Sequence, residues 1–220
     1  RGRTGRPHKK ELTINYRSTA EIVLATNAIQ LLRKYVLELP DSEIEPQQPW
    51  ADRADLGNPS NPSHFVVGAG VTLEQFEELT KDAVVIVPCE ESGEDEFVRN
   101  DPVLSKIRYD GNPNYNIFSS SAAKGLEFPK VVVYGFGNEF PGMRNELEPV
   151  DLSEGEDEIF PLKHFFNKFY VAVTRAERSL YFVDRPGYDE TLWESLRGSR
   201  LAELAEGTAF KDRIEDINQG

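Results

Sequence analysis

At 220 residues the chain is long enough to bury one α/β domain and too short for two full ones. Its 39% apolar and 29% charged composition is that of a globular protein, and no apolar run approaches the roughly 20 residues that cross a bilayer, so a membrane partner is not expected. The formal net charge of −13 argues against a broad nucleic-acid-binding face, because phosphate contacts need lysine and arginine.

That charge is unevenly spread. Glu146 to Glu158 reads ELEPVDLSEGEDE, with seven acids and no bases, and its Pro and Gly predict a loop. A solvated insertion is the plain reading of it, and a protein-binding segment is the alternative. A local nucleic-acid contact elsewhere stays open. The opening residues 1–10 are basic and polar without an apolar core, so they read as a lead-in from a longer protein rather than a signal peptide. The single cysteine, Cys89, forms no internal disulfide and fits a reducing, cytoplasmic setting. It follows an apolar run and is expected to be a buried or strand-edge thiol.

In chain order, Glu11 to Ile14 is β-prone, and Ser18-Thr-Ala-Glu21 has the pattern of a capping box opening a helix to about Val36. Ile22, Ala25, Ile29, Leu32 and Val36 fall on one face of that helix. Residues 40–62 are rich in Pro, Asn and Asp and predict a long loop. His64 to Gly68 reads as a strand and Thr72 to Thr80 as a helix capped by Thr72. Ala83 to Val87 is a continuous β-branched run, expected in a strand buried on both faces. Phe97 to Ile107 is helical with Pro102 interrupting it. Tyr115 to Phe118 and Lys130 to Tyr134 are strands, separated from a helix over Leu162 to Glu177 by a second loop at 137–160. Leu180 to Val183 is a last strand, and Asp189 to Ala205 holds one or two terminal helices. Strands alternating with helices predict an α/β fold, a mostly parallel sheet flanked by helices.

Three segments carry chemistry. In Leu12-Thr-Ile-Asn-Tyr-Arg-Ser-Thr19, Tyr16 and Arg17 lie between a strand and a helix. Ligands in open α/β sheets bind at the carboxyl ends of strands, and an aromatic face beside a guanidinium suits a base and a phosphate. In Ser119-Ser-Ser-Ala-Ala-Lys-Gly-Leu-Glu-Phe128, small residues and Gly125 permit close backbone approach, while Lys124 and Glu127 bring one charge of each sign. In Phe169-Tyr-Val-Ala-Val-Thr-Arg-Ala176, Arg175 sits toward the end of an otherwise apolar helix. It either snorkels to water or reaches a phosphate across a cleft as an arginine finger. Each segment alone also has a bland reading, respectively surface packing, a tight crossover loop and a snorkelling cation.

Together, Asn-Tyr-Arg-Ser, Lys-Gly-Leu-Glu-Phe and Tyr-Val-Ala-x-Thr-Arg-Ala in this order resemble motifs IV, V and VI of UvrD/Rep-type superfamily 1 DNA helicases, over about Leu12 to Val183. The resemblance implies a second RecA-like motor domain over residues 12–205, preceded by a lead-in at 1–11 and followed by a polar tail at 206–220. It implies that Tyr16 stacks on adenine, Glu127 accepts from the ribose, Gly125 admits the backbone, and Arg17 and Arg175 meet the γ-phosphate. Ser119 and Ser121 stand where the family usually has a threonine and a histidine that touch single-stranded DNA; with Lys124 they make the expected DNA contacts.

The chain lacks the family's phosphate loop, Gly-x-x-x-x-Gly-Lys-Ser/Thr, and its acidic magnesium-binding motif. ATP with Mg2+ is therefore expected to bind only together with an N-terminal RecA-like domain, and no metal site is expected here. The absence of a glycine-rich phosphate loop after any strand also removes a kinase reading. The alternative function is non-enzymatic, a helicase-like scaffold or protein-interaction domain.

Overall fold

The computed structural model describes residues 14–36, 48–49, 60–109, 116–141 and 156–197. Five strands form one all-parallel sheet: β3 (Ser60–Val66), β4 (Val84–Val87), β5 (Asn116–Ser119), β6 (Phe128–Tyr134) and β7 (Ala176–Asp184). Their order across the sheet is β3-β7-β6-β4-β5. A separate parallel pair joins β1 (Ile14–Asn15) to β2 (Gln48–Pro49). The helices are α1 (Ala20–Leu31), continued by a π-helical turn over Leu32–Val36, α2 (Leu73–Thr80), α3 (Glu94–Asn100), α4 (Leu104–Tyr109), α5 (Glu156–Val173) and α6 (Glu190–Ser195).

β4 and the second half of β6, Val131–Tyr134, are apolar and buried because both of their faces are covered. Alternate residues of β4 and β6 point to opposite sides, as the two-residue pleat requires. Val84, Ile86, Val131 and Val133 join one core with α1, α5 and α6, built around Phe166, Phe169 and Trp193. Val85, Val87, Val132 and Tyr134 join the other with Phe76 of α2, Val98 of α3 and Leu104 of α4. The expected α/β fold is thus present as three layers.

Several elements differ from the sequence expectations. The helix after Arg17 begins with Thr19 as N-cap, which makes no side-chain capping bond. The Ser18 hydroxyl donates instead to the Ala176 carbonyl (2.9 Å), tying the helix start to β7. The expected loop at 40–62 includes β2 and the first residues of β3. The expected loop at 137–160 ends in the first turns of α5, which starts before Pro161 rather than after it. Pro161 has no N–H for the carbonyl four residues back and its ring crowds that carbonyl, yet the helix runs on through it to Val173. α5 stops at Val173, short of the expected Glu177, because Ala176 already pairs with Phe128 in the sheet.

Other expectations hold. Thr72 caps α2, its hydroxyl accepting from the Gln75 N–H, while Gln75 returns a bond to the Thr72 N–H. The segment around Pro102 divides into α3 and α4, and the Asp101 carboxylate accepts from the N–H groups of Val103 (2.9 Å) and Leu104 (2.8 Å). Ile22, Ile29 and Leu32 are buried as the α1 periodicity predicts. The terminal helix is α6, ending at Ser195; residues 1–13, the 206–220 tail and most of the acidic 146–158 segment lie outside the described residues.

Candidate nucleotide site

All loops that lead into strands of a parallel sheet emerge at one edge of it, and that is where the three sequence segments meet. Phe128 opens β6 and Ala176 opens β7, and these residues are paired. Glu127 and Arg175, one position before each, are therefore neighbours at the amino edge of the sheet. The Phe128 N–H donates to the Arg175 carbonyl (2.9 Å), which fixes the two backbones together.

The Tyr16–Arg17 segment joins from below α1. The Asn15 carboxamide oxygen accepts from the N–H groups of Arg17 (2.9 Å) and Ser18 (3.0 Å), forming an Asx turn. The Thr19 N–H then donates to the Glu177 carbonyl (3.0 Å). This turn sets the Arg17 guanidinium against Glu127, and the two form an ion pair. Tyr16 stays 48% exposed beside them. Asn15 was not singled out from sequence, although an Asx residue just before a turn is a recognisable signal for it.

Arg175 lies in the turn after α5, not within the helix. It is half-buried, and its guanidinium donates to the carbonyls of Val171 (3.1 Å) and Leu126 (3.0 Å) and to the Thr174 hydroxyl (3.0 Å). All three acceptors are neutral. Burial and the nearby Arg17 both disfavour its charge and hold its pKa below the usual arginine value. Two guanidinium groups thus lie close together with one carboxylate, Glu127, paired to one of them.

Residues 120–127 form the whole crossover from β5 to β6, where roughly a dozen residues or more are usual for a parallel connection. A tight turn makes this work: the Ala122 N–H donates to the Ser119 hydroxyl (3.2 Å) and the Ala123 N–H to the Ser119 carbonyl (3.0 Å). Gly125 has φ of +85°, a left-handed conformation that side chains disfavour. Ser119 is fully buried at the carboxyl end of β5, whereas Ser121 and Lys124 are exposed on the crossover. Ser119 therefore lies at the carboxyl edge of the sheet and Glu127 at its amino edge, while Lys124 sits next to Gly125 on the crossover between them.

Tyr16 and Arg17 do follow a strand, but β1 belongs to the small two-stranded sheet. The expectation of a site at the carboxyl edge of the main sheet is corrected by the geometry, since the cluster lies at the amino edge. The carboxyl edge holds a separate crevice of about 440 Å3 where the chain diverges after β4 and β6, lined by Cys89, Glu90, Phe97, Asp101, Glu139 and Arg185. Burial, followed by the nearby Glu94, pushes the Cys89 thiol up to about 11. Among the described residues no group of three His, Cys, Asp or Glu side chains is placed to hold a metal ion. Nor is any helix among them long and apolar enough to cross a membrane.

Residues 105–184 match the family model of the UvrD-like helicase C-terminal domain. The matched segment includes the crossover with Gly125 and Glu127, the Arg175 turn, and three of the five strands of the main sheet, β5, β6 and β7. Tyr16 and Arg17 lie outside it and join it through the contacts of Ser18 and Thr19. Among solved structures, the C-terminal domain of a possible DNA helicase from Lactobacillus plantarum WCFS1 is similar at 20% identity, with a TM-score of 0.43, over 81% of this chain and 92% of that one. No curated protein matches the chain.

Proposed function

We propose that this chain is the second motor domain of an ATP-dependent DNA helicase or translocase, completing an ATP site whose phosphate loop lies on a partner RecA-like domain of the same protein. The observation that carries the reading is the convergence of Arg17, Glu127 and Arg175 from three distant segments onto one sheet edge. Two cations kept together with one carboxylate leave a local positive charge in an acidic chain. A γ-phosphate supplies the missing anion.

In this reading Tyr16 stacks on the base and Gly125 keeps the crossover backbone open. A carboxylate has two oxygens, so Glu127 accepts from a ribose hydroxyl while still holding Arg17. Arg175 stabilises charge that develops on the transferred phosphoryl group. Mg2+, bound with ATP by the partner domain, neutralises phosphate charge there. Arg17 and Arg175 then register whether the γ-phosphate is present, and cleft closure and opening move the protein along single-stranded DNA. The 120–127 crossover joins the two functions mechanically, because it carries Ser121 and Lys124 and ends on Glu127.

The deciding experiment is ATP hydrolysis by the full-length protein with and without single-stranded DNA. Stimulation by DNA is the expected result, and a full-length protein without ATPase activity overturns the reading. The 220-residue chain alone is expected not to hydrolyse ATP, because its sequence has no phosphate loop. A scaffold function is favoured by one observation, the acidic carboxyl edge formed by Glu90, Glu96 and Glu139, which repels phosphate.

A further inference from the structure

Arg175 is held by a hydrogen-bond ring that begins and ends on its own helix terminus. Thr174 Oγ1 donates to the Val171 carbonyl (2.9 Å), which commits the hydroxyl proton and turns its lone pairs toward the guanidinium. Arg175 Nη2 donates to that hydroxyl (3.0 Å), and Nε donates to the same Val171 carbonyl (3.1 Å). On the other side, Nη1 donates to the Leu126 carbonyl (3.0 Å), on the crossover that also carries Glu127.

The inner edge of the guanidinium plane is thus fixed at Nε and Nη2, and its rotation is fixed at Nη1. An arginine has five N–H groups in a rigid fork. Three of them are used among the described residues. The remaining two sit one on Nη1 and one on Nη2, donors suited to the oxygens of a phosphate. A flexible arginine on a surface loses side-chain freedom when it binds; this one has lost it beforehand.

We propose that Thr174 is a positioning residue for Arg175, its hydroxyl setting the guanidinium plane so that the remaining Nη1 and Nη2 donors are presented to the γ-phosphate. The inference rests on the reading of Arg175 given under the proposed function. Thr174 itself touches no nucleotide. Its hydroxyl is required as an acceptor, and serine supplies the same acceptor without the methyl group.

The test is steady-state ATPase of the full-length protein carrying Thr174→Val, Thr174→Ser, Arg175→Ala and the Thr174→Val/Arg175→Ala pair. Thr174→Val is expected to lower kcat about ten- to hundred-fold, with KM for ATP changed far less. Thr174→Ser is expected to restore kcat to within about two-fold of the parent, and the double variant to be no slower than Arg175→Ala. Equal loss in the serine and valine variants overturns the proposal, as does an additive loss in the pair. Normal kcat in Thr174→Val with a crippled Arg175→Ala removes the Thr174 role alone. Normal kcat in Arg175→Ala removes the reading on which it rests. Should Thr174→Val fail to fold, Thr174→Ala deletes the hydroxyl without adding a methyl group in its place and gives the same comparison.

Discussion

Arg17 and Glu127, 110 positions apart in the sequence, are paired in the folded domain. The pair is too exposed to matter much for folding, with the arginine side chain 57% and the glutamate 35% accessible. Exposed ion pairs are screened by water and hold long side chains at an entropic cost. We therefore expect Arg17→Ala and Glu127→Ala each to change the unfolding free energy of the 220-residue chain by less than about 1 kcal/mol, read by urea titration. The same substitutions should strongly impair ATP turnover in the full-length protein. A large stability loss would instead make the pair a folding device.

Arg175→Ala tests the transition-state role directly. Arginines that meet the transferred phosphoryl group contribute about 10³–10⁵ in kcat, and a loss of that order is expected in the full-length protein. Nucleotide affinity, measured by titration with a fluorescent ATP analogue, should change far less. Near-normal turnover would return Arg175 to the bland reading of a cation packed at a helix end.

A second cluster, built by Asp184, is structural. Its carboxylate is fully buried and accepts from the Gly137 N–H (2.9 Å) and the Trp193 indole (2.7 Å), with the His64 ring nitrogen 2.9 Å away. It ties β3, the turn after β6 and α6 to the end of β7. Asp184→Ala leaves two buried donors unpaired, and a loss of about 3–5 kcal/mol in unfolding free energy is expected. Gly137→Ala should cost about 1–3 kcal/mol by overpacking, since a Cβ there would lie on the Asp184 carboxylate and the indole nitrogen. Thermal or urea unfolding of either variant at parental stability would show that the cluster is dispensable.

Cys89 offers a pH measurement. Burial and Glu94 raise its thiol to about 11, so the thiolate is scarce at neutral pH. Its alkylation rate by iodoacetamide should keep rising through pH 9 and reach half its plateau near 11. A half-point near that of a free cysteine would mean that the crevice is open enough to solvate the thiolate.

Much of this was legible in the sequence, and for a definable reason. The run Val84 to Val87 announces a strand covered on both faces, because only such a strand has no polar side. Thr72 announces a helix start because its hydroxyl caps an N–H only three residues on. Local features of this kind depend on near neighbours, so they survive being read without a structure. Where a local pattern met a distant partner it misled. Ser18-Thr-Ala-Glu21 has the letters of a capping box, yet the Ser18 hydroxyl finds the Ala176 carbonyl, 158 positions away, and bonds there.

The sequence by itself determined the α/β class, the candidate residues and their grouping into three segments. Tertiary structure alone decided that Arg17, Glu127 and Arg175 meet, and at which edge. The strand order β3-β7-β6-β4-β5 makes β6 and β7 adjacent, and their parallel register places Glu127 and Arg175 side by side where those strands begin. No local pattern carries that information, because strand order arises from which apolar faces bury one another across the whole chain. The orientation of Arg175 is likewise a tertiary fact. Its side chain lies between a helix end and the Leu126 carbonyl, 49 positions earlier, and only the folded domain brings those two acceptors to opposite sides of one guanidinium.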